Sequence, residues 1–376
     1  MTADIAGRLL LAPGSATPIA CERPMVGAGL MRRLAEGRRA ALMPDLIGSV
    51  FALGAAAQRA TSRRAIRCAL GLEPEPAAAV AAEGQALAMA TARDHLQRFA
   101  LDLPSLLPMP GVAADPQWLR DAPVFSLGPL ADAAAVGSAA AALPGWLERR
   151  LYGGPPAAWR ERWLADPANA LADWAEGQPH PLARWMLAVQ PRARALALPC
   201  RPLGLLDEGE AGLRALVDAL AQDDDLPEHP LWHGAPAETA PWTRFGRPEA
   251  FSVDFSTEFG IWHRLGARLA DLAALADGAG LAFGALELAP GEAIAWTEMS
   301  RGLLLHWVRL DDGPRRADTA RIAAYRVFAP TEWNFHPEGA LGRALAEGRF
   351  DAADARLAAL ALDPCVRVDV QEPAHA

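Results

Sequence analysis

The sequence contains no lysine, so all 36 of its basic residues are arginine. A phosphate-binding P-loop, a protein-kinase site and a pyridoxal-phosphate Schiff base each need a lysine, and the sequence therefore excludes all three. Asparagine is almost as scarce and occurs only at Asn169 and Asn334.

Basic blocks and long apolar runs are also missing. The formal charge of -9 is spread along 376 residues, which favours neither nucleic acid nor an anionic membrane as a partner. The longest apolar runs are interrupted by Arg, Asp, Pro or Gly before the roughly 20 residues that a bilayer crossing needs. The apolar stretch at 9–12 is too short for the core of a secretory signal, and we expect a cytoplasmic protein.

Cysteine is sparse and widely spaced. Cys21, Cys68, Cys200 and Cys365 form no C-x-x-C pair, which excludes a zinc ribbon and suits a reducing compartment.

The chain is 52% hydrophobic, enough for a sizeable core. Apolar residues at helical spacing predict helices over 30–39, 46–70, 77–101, 143–151, 158–164, 210–222, 261–277 and 352–360. After Gly278 the apolar residues recur about every two positions. This alternation predicts antiparallel strands over 283–288, 293–298, 303–310 and 322–328.

The expected class is α+β: a mostly helical protein, with a long helix bundle and a small antiparallel sheet in the C-terminal part. We expect one domain over 1–376 with three regions. These are an N-terminal helical pair (1–102), a Pro- and Trp-rich region of helices and loops (103–248), and a helix, small sheet and Asp-Pro-Cys tail (249–376).

Several separated stretches resemble the large subunit of [NiFe] hydrogenases, in the right order. The family motifs are D-H-L-x-x-F, E-T-G-x-L-A-R, E-A-P-R-G-x-L-x-H, V-P-[ST]-x-W-N and D-P-C-x-x-C. The matching residues here are Asp94-His95-Leu96 with Phe99, Glu238 to Arg244, Glu298 to Gly302 with His306, Ala329 to Asn334, and Asp363-Pro364-Cys365. The resemblance implies a large-subunit-like fold over most of the chain.

The departures from the family concern its metal ligands. Alignment of the family's A-S-x-R-A helix on residues 61–65 puts Phe51 and Gly54 at the positions of the N-terminal cysteine pair, and Gln58 at the position of a histidine. At the C-terminus the second cysteine falls on Val368 and the terminal histidine on Gln371. One thiolate cannot hold a nickel–iron pair, because soft metals need the full thiolate set for affinity and geometry.

This combination resembles the HupK/HoxV family of hydrogenase accessory proteins. The resemblance implies a non-catalytic scaffold or chaperone for the Fe(CN)₂CO part of the active site, with no nickel. Arg301, Thr331 and Pro330 would contact the cofactor, and Cys365 would be the metal ligand. The implied partners are the small chaperone and iron–sulfur scaffold proteins of hydrogenase maturation, and the hydrogenase large subunit.

Other functions remain open from the sequence. The chain could be a degenerate large-subunit paralogue in an electron-transfer complex, a decoy that occupies maturation chaperones without metal, or an enzyme that has reused the fold. No nucleophile–base pair or carboxylate dyad stands out in the sequence to favour an enzyme.

Each candidate residue also has a purely structural interpretation. Arg301 fits a solvated turn, and Pro330-Thr331 fits a turn at the end of a strand. Asp94 and His95 fit a hydrogen-bonded pair on one helix, and His306 fits a core histidine. His229 and His233 are four residues apart, but Pro230 breaks the helix that would align them, so we place both in a surface loop.

Overall fold

The computed structural model of the protein describes residues 7–22, 30–51, 53–128, 131–245, 258–313 and 316–372. Its α-helices are α1 Leu30–Ala35, α2 Met43–Val50, α3 Ala55–Ala69, α4 Ala77–Gln97, α5 Leu103–Leu106, α6 Ala133–Leu147, α7 Pro156–Ala165, α8 Pro167–Gly177, α9 Pro181–Ala195, α10 Gly209–Gln222, α11 Ile261–Ala276, α12 Pro330–Asn334, α13 Ala340–Ala346 and α14 Ala352–Leu362. Its strands are β1 Arg8–Leu11, β2 Ile19–Glu22, β3 Phe283–Ala289, β4 Glu292–Met299, β5 Gly302–Leu310, β6 Ile322–Phe328 and β7 Arg367–Val370.

The mostly helical α+β class is confirmed, and the late sheet is the antiparallel meander that the sequence predicts, in the order β3-β4-β5-β6. Its two faces bury different residues because side chains alternate along a strand. Ala293 and Leu304 join the main core beneath α3, whereas Ile294 and Leu305 join a smaller core beneath α10. The sheet therefore separates two apolar layers.

A second sheet was not predicted. β7 pairs in parallel with β1, and β2 pairs antiparallel with β1 on its other side. The strands have only four residues each, and β1 and β7 lie more than 350 positions apart, so no local pattern shows their pairing. The segment after Cys365, expected as an extended tail, is thus tied to the start of the chain.

The stretch 46–70 was predicted as one helix, and this was wrong. The chain forms α2 and α3, separated at Gly54, whose φ of 72° lies in the left-handed region. Glycine reaches this conformation without a Cβ clash, and it therefore interrupts the helix that was predicted to be continuous. α3 packs chiefly on α2 and on β3, β4 and β5, with a smaller contact to α4. The division into 1–102, 103–248 and 249–376 stays a prediction.

α11 is the helix about which the larger core is organised. All of its residues except His263 are buried, and it packs against α4, α6, α7, α8, α9 and α14. The helix nevertheless carries charged residues at Arg264, Arg268 and Asp271. Spacings of four and three place them on one side of the helix, so each must find a buried partner.

Candidate functional site

The Asp-Pro-Cys turn directly follows α14. Asp363 closes the helix with a φ of 53°, one of two non-glycine residues with positive φ in the described chain. Pro364 cannot donate a backbone hydrogen bond and disfavours a helical conformation in the residue before it. The turn therefore leaves the helix and presents Cys365, which is half-buried.

Thr331 holds this cysteine from the other side. Pro330 occupies the first position of α12, where its missing N–H costs nothing, and places Thr331 in the first turn. The Thr331 hydroxyl oxygen accepts from the Cys365 backbone N–H at 3.2 Å and lies 3.3 Å from the Cys365 Sγ. Its own hydrogen remains available for the sulfur or for a ligand on it.

Arg301 lies in the tight turn between β4 and β5, yet it is only 3% exposed. The solvated-turn interpretation is therefore wrong. Its guanidinium lies 3.4 Å from Asp363 and 3.5 Å from Asp94, and Nη1 donates to the Ser300 hydroxyl at 3.3 Å. Burial lowers the pKa of Arg301, but the nearby carboxylates, Asp363 first and then Asp94, outweigh burial and raise it.

Asp363 is the centre of a buried charge cluster. Its carboxylate, 1% exposed, meets Arg98 at 2.8 Å, Arg268 at 2.6 Å and Arg301 at 3.4 Å. Burial alone would raise the pKa of Asp363, but the three arginines, Arg268 foremost, hold it well below its usual range. The carboxylate is therefore ionised.

The sequence did not reveal Arg98 and Arg268. Arg98 belongs to a five-residue π-helical turn, Arg98–Asp102, that continues α4, and such turns are frequent at functional sites. Arg268 is fully enclosed on α11, and burial is the main cause that lowers its pKa. A charged row within the otherwise apolar sequence of α11 was the signal that could have identified it.

Several N–H groups of this cluster lack an aligned acceptor. The Nε atoms of Arg98, Arg268 and Arg301 and the Nη1 of Arg268 are buried without a hydrogen bond of good geometry, although their charges are paired. Buried donors are normally satisfied. Three of these four groups, all but the Arg268 Nε, nevertheless lie 2.6–3.4 Å from a carboxylate oxygen of Asp363, which is the acceptor that they face.

A second set of contacts ties the other motif stretches to this site. Thr239 donates its N–H to the Asn334 side chain at 2.9 Å, and its hydroxyl accepts from Leu303 N–H at 2.8 Å. Gly302 has a φ of 123°, and a Cβ there would strike the Thr239 backbone. Glu238, just before, forms a bidentate buried pair with Arg264 at 2.8 and 2.7 Å. The distant motif stretches thus converge in space.

Asp94 and His95 do not form the hydrogen bond with each other that the sequence had suggested. Consecutive residues on a helix point in different directions. Asp94 accepts from the Ser300 hydroxyl at 3.0 Å, whereas His95 is hydrogen-bonded to Asp271 at 2.7 Å. His95 is fully buried, and burial lowers its pKa.

The histidine candidates agree with their structural interpretations, whereas Pro330 and Thr331 begin α12 and do not form the turn considered for them. His306 is buried between Tyr325 and Gln58, with both ring nitrogens hydrogen-bonded. His233 is exposed and contacts Glu208, and His229 lies in the same loop. None of the four cysteines forms a disulfide. Within the described residues, no cluster of three or more His, Cys, Asp or Glu side chains could hold a metal ion.

The chemistry of the site follows from its composition. It offers the Cys365 sulfur, the Thr331 hydroxyl and several buried guanidinium groups arranged about the ionised Asp363 carboxylate. The sulfur can bind a soft metal, and the surrounding donors can bind negative ligands.

Sequence comparison identifies the relatives of the chain. Over 98% of its length it is 38% identical to the hydrogenase expression/formation protein HoxV of Cupriavidus necator, of which it covers 96%. The chain belongs to the HoxV/HupK family. A HupK protein of Bradyrhizobium diazoefficiens is 32% identical over 64% of the chain and 70% of the relative. No family model matches the sequence.

Comparison with solved structures places this HoxV/HupK-family chain on the [NiFe]-hydrogenase large-subunit fold. The [NiFeSe] hydrogenase of Desulfomicrobium baculatum superimposes with a TM-score of 0.52 over 94% of both chains, at 14% identity. The likeness concerns the fold alone. In the described ranges no helix has both the length and the apolar character needed to cross a membrane.

Proposed function

We propose that the chain is a non-enzymatic scaffold that carries the Fe(CN)₂CO unit as cargo during [NiFe]-hydrogenase maturation. The observation that carries the proposal is the meeting of three elements at one point. Cys365 supplies a sulfur, Thr331 a hydroxyl 3.3 Å from it, and Arg301 a buried guanidinium 3.4 Å from Asp363, two residues before the cysteine.

The donor set fits an iron atom with anionic ligands. Cyanide bound to iron accepts hydrogen bonds at nitrogen, and charge-assisted donors such as guanidinium bind such acceptors best. The Thr331 hydroxyl, 3.3 Å from the thiol sulfur, and the buried Arg301 guanidinium beside Asp363 supply such donors. A low-spin iron with diatomic ligands needs few protein sulfurs, and one thiolate is a tether from which it can depart.

The residues at the positions of the family's metal ligands argue against activity as a hydrogenase. Phe51 and Gly54 stand where the resemblance places the N-terminal cysteines, and neither side chain can ligate a metal. A nickel ion would find one thiolate where it needs several. We therefore propose that no nickel binds and that no hydrogen chemistry occurs on this chain.

The proposed partners follow from the relatives, which are named for hydrogenase expression and formation. A scaffold must receive its cargo and deliver it. We propose the small chaperone and iron–sulfur scaffold proteins of maturation as donors and the hydrogenase large subunit as acceptor, all in the cytoplasm.

The test is hydrogenase yield in cells that carry Cys365→Ser as their only copy. The expected result is loss of mature enzyme at normal levels of the accessory protein. Cys21→Ser is the matched control, because Cys21 is exposed on the short strand β2 and takes no part in the site. Unchanged yield with Cys365→Ser would refute the scaffold mechanism.

A further inference from the structure

The Ser300 hydroxyl lies between the Arg301 guanidinium and the Asp94 carboxylate. Ser300 belongs to the turn between β4 and β5 and is 1% exposed. Its hydroxyl accepts from Arg301 Nη1 at 3.3 Å and donates to Asp94 at 3.0 Å. A guanidinium can only donate, so the single hydrogen of the hydroxyl is left for the carboxylate. The two hydrogen bonds therefore run from Arg301 through Ser300 to Asp94.

The bond to Ser300 is the one aligned hydrogen bond that the Arg301 guanidinium makes within the described residues. Its other contacts are ion pairs, at 3.4 Å to Asp363 and 3.5 Å to Asp94, and Nε has no hydrogen bond of good geometry to a described residue. An ion pair depends mainly on distance, whereas a hydrogen bond weakens steeply when it is bent. Ser300 therefore fixes the direction in which the guanidinium points.

This direction decides where the remaining N–H groups of Arg301 lie. Nη1 faces Ser300 and Asp94, and Nε faces Asp363. Nη2 has no partner among the described residues, so its two N–H groups are the ones left to donate to a ligand. Because the guanidinium is planar and rigid, any rotation that breaks the bond at Nη1 also moves Nη2.

The turn that carries Ser300 is itself fixed on both sides. Before it, the Met299 carbonyl accepts from Arg244 Nη1 at 3.2 Å. After it, Gly302 lies so close to Thr239 that a Cβ would strike the Thr239 backbone. The hydroxyl therefore stays in place, and the guanidinium adapts to it.

We propose that Ser300 is a positioning residue, which orients Nη2 of Arg301 toward a cyanide ligand of the iron unit carried by Cys365. The E-A-P-R-G motif that this stretch resembles has proline at the position of Ser300, and a proline side chain can neither donate nor accept. The hydroxyl bridge is thus a property of this chain. The inference rests on the proposed scaffold function and adds how its guanidinium donor is oriented.

The test is infrared spectroscopy of protein purified without oxygen from cells that are making hydrogenase. Ser300→Ala should retain the iron unit, because Cys365 and Thr331 are unchanged. It should shift at least one cyanide band, because a hydrogen bond at the cyanide nitrogen alters the C–N stretch. Ser300→Thr keeps the hydroxyl and should give the native bands. Ser138→Ala, which removes an exposed hydroxyl on α6, is the matched control and should also give them.

Three results would overturn the proposal. One is a Ser300→Ala spectrum that coincides with the native one. Another is loss of the iron unit from folded Ser300→Ala protein, because a residue that only orients Arg301 does not govern retention on Cys365. The third is the same band shift in Ser300→Thr, which would make packing the cause. Absence of bands from the native protein would instead refute the scaffold function.

A second measurement needs no iron and decides the bridge by itself. The urea midpoint is measured for Ser300→Ala, Asp94→Ala and the double variant. If the hydroxyl links Arg301 to Asp94, the double variant should lose clearly less than the sum of the two single losses. Additive losses would show that the link is not formed, and would overturn the proposal whether or not the protein carries iron.

Discussion

Replacement of Asp363 by Asn removes the one negative charge shared by Arg98, Arg268 and Arg301. Asparagine has nearly the same shape and tolerates positive φ, so the φ of 53° adds little strain. The change therefore isolates the loss of charge.

The size of the expected loss of stability depends on which carboxylate partners each arginine keeps. Arg98 keeps Asp102 at 3.4 Å and Arg301 keeps Asp94 at 3.5 Å. Arg268 has no other carboxylate among the ion pairs of the described residues. One buried cation is thus left unpaired, which costs about 3–5 kcal/mol of the free energy of unfolding.

The assay is urea denaturation followed by tryptophan fluorescence. Asp363→Asn should lower the midpoint strongly, and adding Arg268→Met should restore much of the loss because the unpaired cation is then absent. Asp318→Asn, which breaks an exposed pair with Arg316, is the matched control and should change little. A loss for Asp363→Asn as small as that of the control, or no recovery with Arg268→Met, would refute the reasoning.

Three further predictions concern other contacts. Thr331→Val should weaken cargo retention while Thr331→Ser preserves it, measured as iron per chain, because only a hydroxyl can bond to the Cys365 turn. Glu238→Gln should lower the urea midpoint by the equivalent of about 3 kcal/mol or more, since it leaves Arg264 buried without its bidentate partner. Burial lowers the pKa of His306 to about 3. Its contribution to stability is therefore complete above pH 6.5 and is lost as the pH falls toward 3. His306→Gln should flatten the pH dependence of the urea midpoint between these two pH values.

The sequence predicted the elements whose periodicity is local. These are α4 and α10, each of which buries one face, and the meander and α11, which are largely buried; their predicted bounds agree with the structure to within a few residues. The sequence analysis predicted no helix at α8 or α9, each of which has a proline at its first position within the Pro- and Trp-rich region. Here proline starts the helix, capped by the side chain of the residue before it.

The candidate site was predictable only where a motif marks it. Cys365 and Thr331 lie in contact, and Arg301 pairs with Asp363, two residues before Cys365; that these residues hold a cofactor stays a prediction. Arg98 and Arg268 were not assigned, because the carboxylate that both contact lies more than 90 positions away in the chain. Unlike hydrophobic periodicity, the pairing itself leaves no local signal, and only the charged row within α11 marked Arg268 as unusual.

Infrared spectroscopy tests the central claim most directly. The protein is purified without oxygen from cells that are making hydrogenase, and is examined where metal-bound cyanide and carbon monoxide absorb. The account predicts bands for both ligands in the native protein and in Cys21→Ser, and their loss in Cys365→Ser. Absence of the bands from native protein that also lacks iron, or their persistence in Cys365→Ser, would contradict it.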